Sequence, residues 1–125
     1  MALAKSLAAR STCEVERVGT VITSADFRKV LAVGYTGNAS GLPNHCDQPG
    51  PDCGCLHAED NAIIHCDAPR ADPKIVFTTK VPCRACAKRL INLGGVQDLY
   101  AAEGGSEPSL ELFATVGIRV YVTGA

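Results

Sequence analysis

The chain predicts an α/β fold: a five-stranded mixed sheet with helices on both faces, three layers deep. Two observations carry this. The second half alternates helical and strand patterns, which requires βαβ crossovers and hence parallel strands flanked by helices. The first half holds two adjacent strand patterns, which add a hairpin pair. With 125 residues, 46% hydrophobic and 20% charged, there is material for one core and one domain spanning residues 1–125.

Residues 2–10 are rich in Ala, Leu and Lys, all good helix formers, and predict a first helix. Ser11, Thr12 and Cys13 end it. Residues 15–23 alternate as a strand, with Val15, Arg17, Gly19 and Val21 on one side. A turn at 24–26 leads into a second strand at 29–35, paired with the first. Residues 36–56 hold Gly, Pro, Asn, Asp and Cys and almost no periodic apolar residues. So long a structureless stretch is uncommon in a small domain and is usually functional or externally held; a metal clip would hold it. Helical spacing follows at 57–66, a break at 67–73 and a buried-type strand at 74–79. Pro82 opens a helix over 83–93, where proline in the first turn loses no hydrogen bond, and Gly94-Gly95 close it. A strand at 96–102, a short helix at 109–116 stopped by Gly117, and a strand at 118–123 complete the order α-β-β-α-β-α-β-α-β.

The formal net charge is -1, so the balance predicts no general attraction to nucleic acid. No apolar run reaches the length of a membrane span, and the N-terminal segment lacks a signal-peptide core. The expected compartment is the cytoplasm. Seven cysteines in a reducing compartment argue against a disulfide framework. Six of them lie between Cys46 and Cys86 together with His57 and His65. Metal ligation is the better reading.

Cys83 and Cys86 are three apart at a helix start, so both sulfurs share one face and can reach one ion. The partial positive charge of a helix N-terminus favours thiolates. His57 stands at the start of another helix. If the two helix starts abut at the sheet edge, His57, Cys83 and Cys86 supply three ligands, and a catalytic zinc leaves its fourth position to water. Glu59 follows His57 by two residues, about 200° round a regular helix and on the wrong side. The pair works only if His57 lies at the very first turn. Glu59 is then the proton shuttle: it takes a proton from a water acidified by zinc, gives it to a ring nitrogen and later protonates departing ammonia. Two thiolates and a neutral imidazole leave the centre formally neutral, so an uncharged base can approach. The competing reading is a closed structural zinc site completed by a fourth ligand. The carboxylate beside the histidine favours catalysis, and so does the pairing of H-x-E with P-C-x-x-C in this order.

These residues resemble the cytidine/deoxycytidylate deaminase superfamily, and within it the deoxycytidylate (dCMP) deaminase branch. The resemblance rests on Arg10-Ser11-Thr12-Cys13 with Val18-Gly19, Gly34-Tyr35-Thr36-Gly37 running to Gly41, and Asn44-His45-Cys46-Asp47. His57-Ala58-Glu59-Asp60-Asn61-Ala62-Ile63 and Pro82-Cys83-Arg84-Ala85-Cys86-Ala87-Lys88 complete it. It implies a cytidine-deaminase-like fold and zinc-dependent hydrolysis of dCMP to dUMP, feeding thymidylate synthesis. It also implies a homo-oligomer, hexamer or dimer. By position, Asn61 would touch the substrate sugar or phosphate, and Thr36, Asn38 and Ser40 would lie in the loop that cradles the nucleotide. Regulated members use that loop for dCTP and dTTP. Thr36 stands where Asn is usual, which argues against that control here.

The resemblance further implies a second, structural zinc site formed by Cys13, His45, Cys53 and Cys55, pinning the 36–56 loop. The alternatives are ordinary cysteines, or Cys46 in place of His45. His65 reads as a C-terminal helix residue or a subunit contact, and Arg84, Lys88 and Arg89 as a solvated basic face or a phosphate site. Other cytosine species remain as substrates: deoxycytidine, cytidine, a modified dCMP, or a base in tRNA or single-stranded DNA. Low aromatic content and weak basicity speak against the polynucleotides. A zinc-stabilised binding module without turnover is the non-enzymatic alternative.

Overall fold

A computed structural model describes residues 1–105 and 107–124. The elements run α1 Ala2–Arg10, β1 Gly19–Ser24, β2 Val30–Tyr35, α2 Ala58–His65, β3 Lys74–Lys80, α3 Arg84–Leu93, β4 Val96–Glu103, α4 Glu107–Thr115 and β5 Arg119–Val122. The five strands form one sheet in the order β2-β1-β3-β4-β5. β1 pairs antiparallel with both β2 and β3, while β3, β4 and β5 are parallel. The mixed sheet and the element order therefore follow the expectation. The parallel half is the half whose strands alternate with helices, as crossover geometry demands.

Registration sorts the side chains onto two faces. Ala32, Ile22, Val76 and Leu99 lie in one row across the sheet, and α2, α3 and α4 cover it with Ala62, Ala87, Leu90 and Phe113. Val21 and Phe77 lie in the row on the other face, where α1 packs Ala4 and Leu7. Two glycines let helices close on the sheet. A Cβ at Gly19 would come 2.0 Å from the Ala4 carbonyl oxygen of α1, and one at Gly34 would come 2.4 Å from the Ala58 carbonyl oxygen of α2. No other residue fits either seat.

The differences lie at the element edges. β1 starts at Gly19, not near residue 15, because residues 15–18 belong to the loop that follows α1. There the Val18 N–H donates to Thr36 Oγ1 at 3.1 Å instead of joining a ladder. α4 begins at Glu107, earlier than the apolar pattern implies. The 36–56 segment has no regular element, and a single antiparallel bridge between Gly37 and Leu56 closes its neck.

Lys74 opens β3 fully buried. Its ammonium donates to the carbonyls of Pro69 at 2.7 Å, Asp72 at 2.9 Å and Gly94 at 2.9 Å. A buried lysine is tolerated because those carbonyls replace its water. It ties the 67–73 connection to the end of α3.

Candidate active site

His57 is the N-cap of α2, with extended backbone at φ -70° and ψ 155°. Cys83 is the N-cap of α3, at φ -65° and ψ 169°. That placement removes the angular objection to H-x-E, because His57 lies outside the helical screw and need not obey the 100° step. Glu59 takes up the first turn of α2 and turns inward. Thr78 of β3 lies against Glu59 in the first turn of α2, and Pro82, fully buried, fixes the approach to α3.

His57 Nδ1 lies 3.2 Å from Cys86 Sγ and 3.6 Å from Cys83 Sγ. All three ligand atoms fall within 4.8 Å of one another. Nitrogen about 2.0 Å and sulfur about 2.3 Å from a common tetrahedral centre would stand about 3.5 Å apart, so this donor set fits zinc. Among the described residues no fourth donor joins this set, which leaves the fourth corner for water. Burial pushes the Cys86 thiol well above its ordinary range, and the charges of Glu59 and Cys83 push it further. A divalent cation reverses that logic and holds such thiols ionised.

Glu59 is 4% exposed, and burial raises its pKa above the usual carboxylate range. Beneath it, Thr20 Oγ1 donates to Thr78 Oγ1 at 3.3 Å. The Thr78 hydroxyl has two acceptors in reach, Glu59 Oε1 at 3.4 Å and the Lys80 carbonyl at 3.0 Å. It has one proton to give, so the two compete. These threonines carried no motif. The alternation of β3 would have put Thr78 on the side of Val76, the face α2 covers.

A cavity of about 570 Å³ opens over the centre, lined among others by His57, Glu59, Cys83, Thr36, Lys80 and Glu16. Of the four expected substrate contacts, the structure brings only Thr36 to this lining. Its hydroxyl accepts from the Val18 N–H, and so it braces two loops. Asn38 and Ser40 fall outside this lining. The Asn38 amide knits its own loop by donating to Asp47 Oδ1 at 3.0 Å and to the Pro43 carbonyl at 3.3 Å, and Ser40 is exposed. Asn61 also falls outside; its Nδ2 donates to the Tyr35 carbonyl at 2.9 Å and anchors α2 to β2.

A second cluster unites Cys13, Cys46, Cys53 and Cys55, all within 4.8 Å. Cys13 Sγ stands 3.8 Å from Cys53 Sγ and 3.8 Å from Cys46 Sγ, and Cys55 Sγ stands 3.7 Å from Cys46 Sγ. Four sulfurs about 2.3 Å from a tetrahedral zinc would have edges of about 3.8 Å. His45 is not among them, which corrects the expected ligand set. Its ring is exposed, with Nδ1 at 2.8 Å from the Cys46 carbonyl, and the chain turns the next residue inward instead. Burial presses the Cys13 thiol up, but N–H groups of Glu16 and Val15 and the thiols of Cys55 and Cys53 outweigh it and bring it down to about 7.

Residues 1–103 match the family described as the cytidine and deoxycytidylate deaminase zinc-binding region. A deoxycytidylate deaminase of Schizosaccharomyces pombe is 30% identical over 140 residues, covering 98% of this chain and 42% of that protein. A deoxycytidylate deaminase of Mycobacterium phage D29 is 30% identical, covering 82% of this chain and 91% of its own length. The crystal structure of dCMP deaminase from cyanophage S-TIM5 in complex with dCMP and dUMP superposes with a TM-score of 0.82 at 25% identity, over 98% of this chain and 92% of that one. The chain thus spans less than half of the fission yeast relative and most of the phage ones. The match takes in both helix starts that carry the metal donors, and the chain belongs to the cytidine and deoxycytidylate deaminase zinc-binding family.

Proposed function

We propose that the chain, folded as a single domain, hydrolyses dCMP to dUMP and ammonia. The observation that carries this is the pairing of a three-donor centre, His57, Cys83 and Cys86, with the buried carboxylate of Glu59 at the same cavity. The relatives named deoxycytidylate deaminase, and the fold shared with a phage dCMP deaminase holding dCMP and dUMP, support the substrate. Zinc bound by the three donors would supply a water acidified to near-neutral pKa.

The chain's own residues do the rest. His57, Cys83 and Cys86 balance the metal's charge and leave one side open to the cavity. Glu59, kept from bulk water, accepts a proton from the attacking water at a carboxylate oxygen. It passes that proton to the ring nitrogen beside C4. It then takes a second proton, from the hydroxyl now bound to C4, and gives it to the amino group, so the C4–O bond becomes a carbonyl as the C4–N bond breaks and ammonia leaves. The backbone at the start of α2 holds the carboxylate in place through both transfers.

The same reading gives the Cys13, Cys46, Cys53 and Cys55 cluster a structural zinc. Subunits assemble as a homo-oligomer, and exposed Ile64, at 68%, and His65 offer an outer face of α2 for that contact. Thr36, in place of the usual Asn and engaged with Val18, speaks against a dCTP and dTTP response. Seven unpaired thiols fit a reducing cytoplasm, and no helix among the described residues is long and apolar enough to cross a membrane. Ammonia release decides the matter, measured on zinc-loaded protein with dCMP, deoxycytidine, CMP and a cytosine-containing oligonucleotide, each with and without dCTP. dCMP is expected to turn over fastest, unmoved by dCTP. Faster turnover of deoxycytidine, CMP or the oligonucleotide would discard dCMP as the substrate, and silence on all four would turn the search to modified dCMP and then to a binding module.

A further inference from the structure

The cavity has an electrostatic asymmetry. Its described lining carries three carboxylates, Glu16, Asp52 and Glu59, and one lysine, Lys80. A divalent ion held by His57, Cys83 and Cys86 would add no net charge, since two thiolates would cancel it. A phosphomonoester brings about two negative charges at neutral pH. In this cavity the charge able to receive them is the Lys80 ammonium. Lys80 ends β3, and its main chain is held on both sides: the Thr78 hydroxyl donates to its carbonyl at 3.0 Å, and the next N–H, of Val81, donates to the Glu103 carbonyl at 3.1 Å. The side chain therefore starts from a rigid base and reaches toward the mouth. Gly105 packs beside it, where a Cβ would lie 3.3 Å from the Val81 carbonyl oxygen and 3.8 Å from Lys80 Cε.

In this structure Lys80 Nζ pairs with Glu16 Oε1 at 2.7 Å, with 43% and 48% of the two side chains exposed. A pair so open to water is weak and easily exchanged. A phosphate offers the ammonium a stronger charge-assisted acceptor than a single carboxylate. Glu16 thus occupies the place of the ligand's anion and also repels anions that fail to displace it.

We propose that Lys80 is the phosphate-binding residue of this cavity, with Glu16 as its exchange partner, and that the pair selects a 5′-monophosphorylated nucleoside over the bare nucleoside. This rests on the deaminase reading and goes beyond it, because it names the group that tells dCMP from deoxycytidine. None of the motifs in the sequence pointed to it: Lys80 falls three residues before Cys83, outside P-C-x-x-C.

The test compares kcat/KM for dCMP and deoxycytidine in the wild type, Lys80→Met, Lys80→Arg and Glu16→Gln, all zinc-loaded. Lys80→Met is expected to lower the dCMP-to-deoxycytidine ratio by about tenfold or more, mostly through KM for dCMP, and Lys80→Arg to restore most of it. Glu16→Gln is expected to lower KM for dCMP. An unchanged ratio in Lys80→Met overturns the assignment and leaves the deaminase reading intact. Calorimetric binding of dUMP and deoxyuridine provides a readout free of turnover: loss of the preference for dUMP in Lys80→Met supports the assignment, and a retained preference overturns it. Wild-type protein that binds dUMP no better than deoxyuridine also overturns it. Protein that deaminates no cytosine compound sinks the deaminase reading, and the binding comparison then still decides Lys80.

Discussion

At the scale of single residues, Glu59 is bound by two opposing demands. Proton transfer needs a carboxylate at the cavity floor, and burial makes that carboxylate unfavourable to ionise in the metal-free protein. Its folded pKa is raised above the unfolded value of about 4.5. Its contribution to stability is therefore complete below the unfolded pKa and is lost as pH rises through the folded one. Glu59→Gln removes that loss. In metal-free protein at pH 7 the variant is expected to melt higher than wild type, with a shallower fall in Tm above pH 5. The zinc-loaded variant should keep its metal at the His57, Cys83 and Cys86 centre while kcat falls by about 10²–10⁴-fold. A melting point no higher than wild type would show that burial does not strain this carboxylate, and retained turnover would remove it from the mechanism. The place of Glu59 beside the His57, Cys83 and Cys86 cluster was legible in the sequence because H-x-E and P-C-x-x-C are local patterns. Lys80 and Thr78 were not, since each matters only through what β3 brings beside it.

At the scale of elements, the sheet tolerates no Cβ at two places. Gly34 sits under α2, where an added Cβ would meet the Ala58 carbonyl oxygen at 2.4 Å and the Ala62 amide nitrogen at 2.5 Å. Neither obstacle is a flexible side-chain tip, so Gly34→Ala must lift the helix or bend the strand. The expected outcome is a loss of about 1–3 kcal/mol of stability by urea unfolding. Because α2 carries His57 at its N-cap, kcat should fall with it, while Gly117→Ala, with nothing near its Cβ, perturbs stability through backbone strain alone and leaves kcat in place. Equal losses of activity in the two variants would show that α2 is not seated by Gly34. Most elements were legible because their apolar periods are long. The start of β1 was not, because the alternation of Val15, Arg17 and Gly19 also fits an extended loop. Choosing His45 over Cys46 failed for the same kind of reason: adjacent residues point opposite ways in extended chain, and spacing alone does not say which turns inward.

At the scale of the whole molecule, the two metal clusters do different mechanical jobs. His57, Cys83 and Cys86 join α2 to α3, which already share a core through Ala62, Ala87 and Leu90. Cys13, Cys46, Cys53 and Cys55 join the segment after α1 to the middle and the far end of a loop without regular structure. A metal there would act as a cross-link. Cys13 and Cys46 are 33 residues apart, and closing a loop of that size removes chain entropy equal to about 4 kcal/mol. Zinc-loaded wild type is expected to hold two metal equivalents per chain. Cys53→Ala should hold one and melt roughly 10 °C lower, because the released loop regains its freedom. His57→Ala should also hold one, yet melt close to wild type, because the α2–α3 contact persists without the ion. His45→Ala should keep both metals. One equivalent in the wild type would remove the four-cysteine site, and equal melting shifts in Cys53→Ala and His57→Ala would show that the loop is held by its hydrogen bonds and not by the metal.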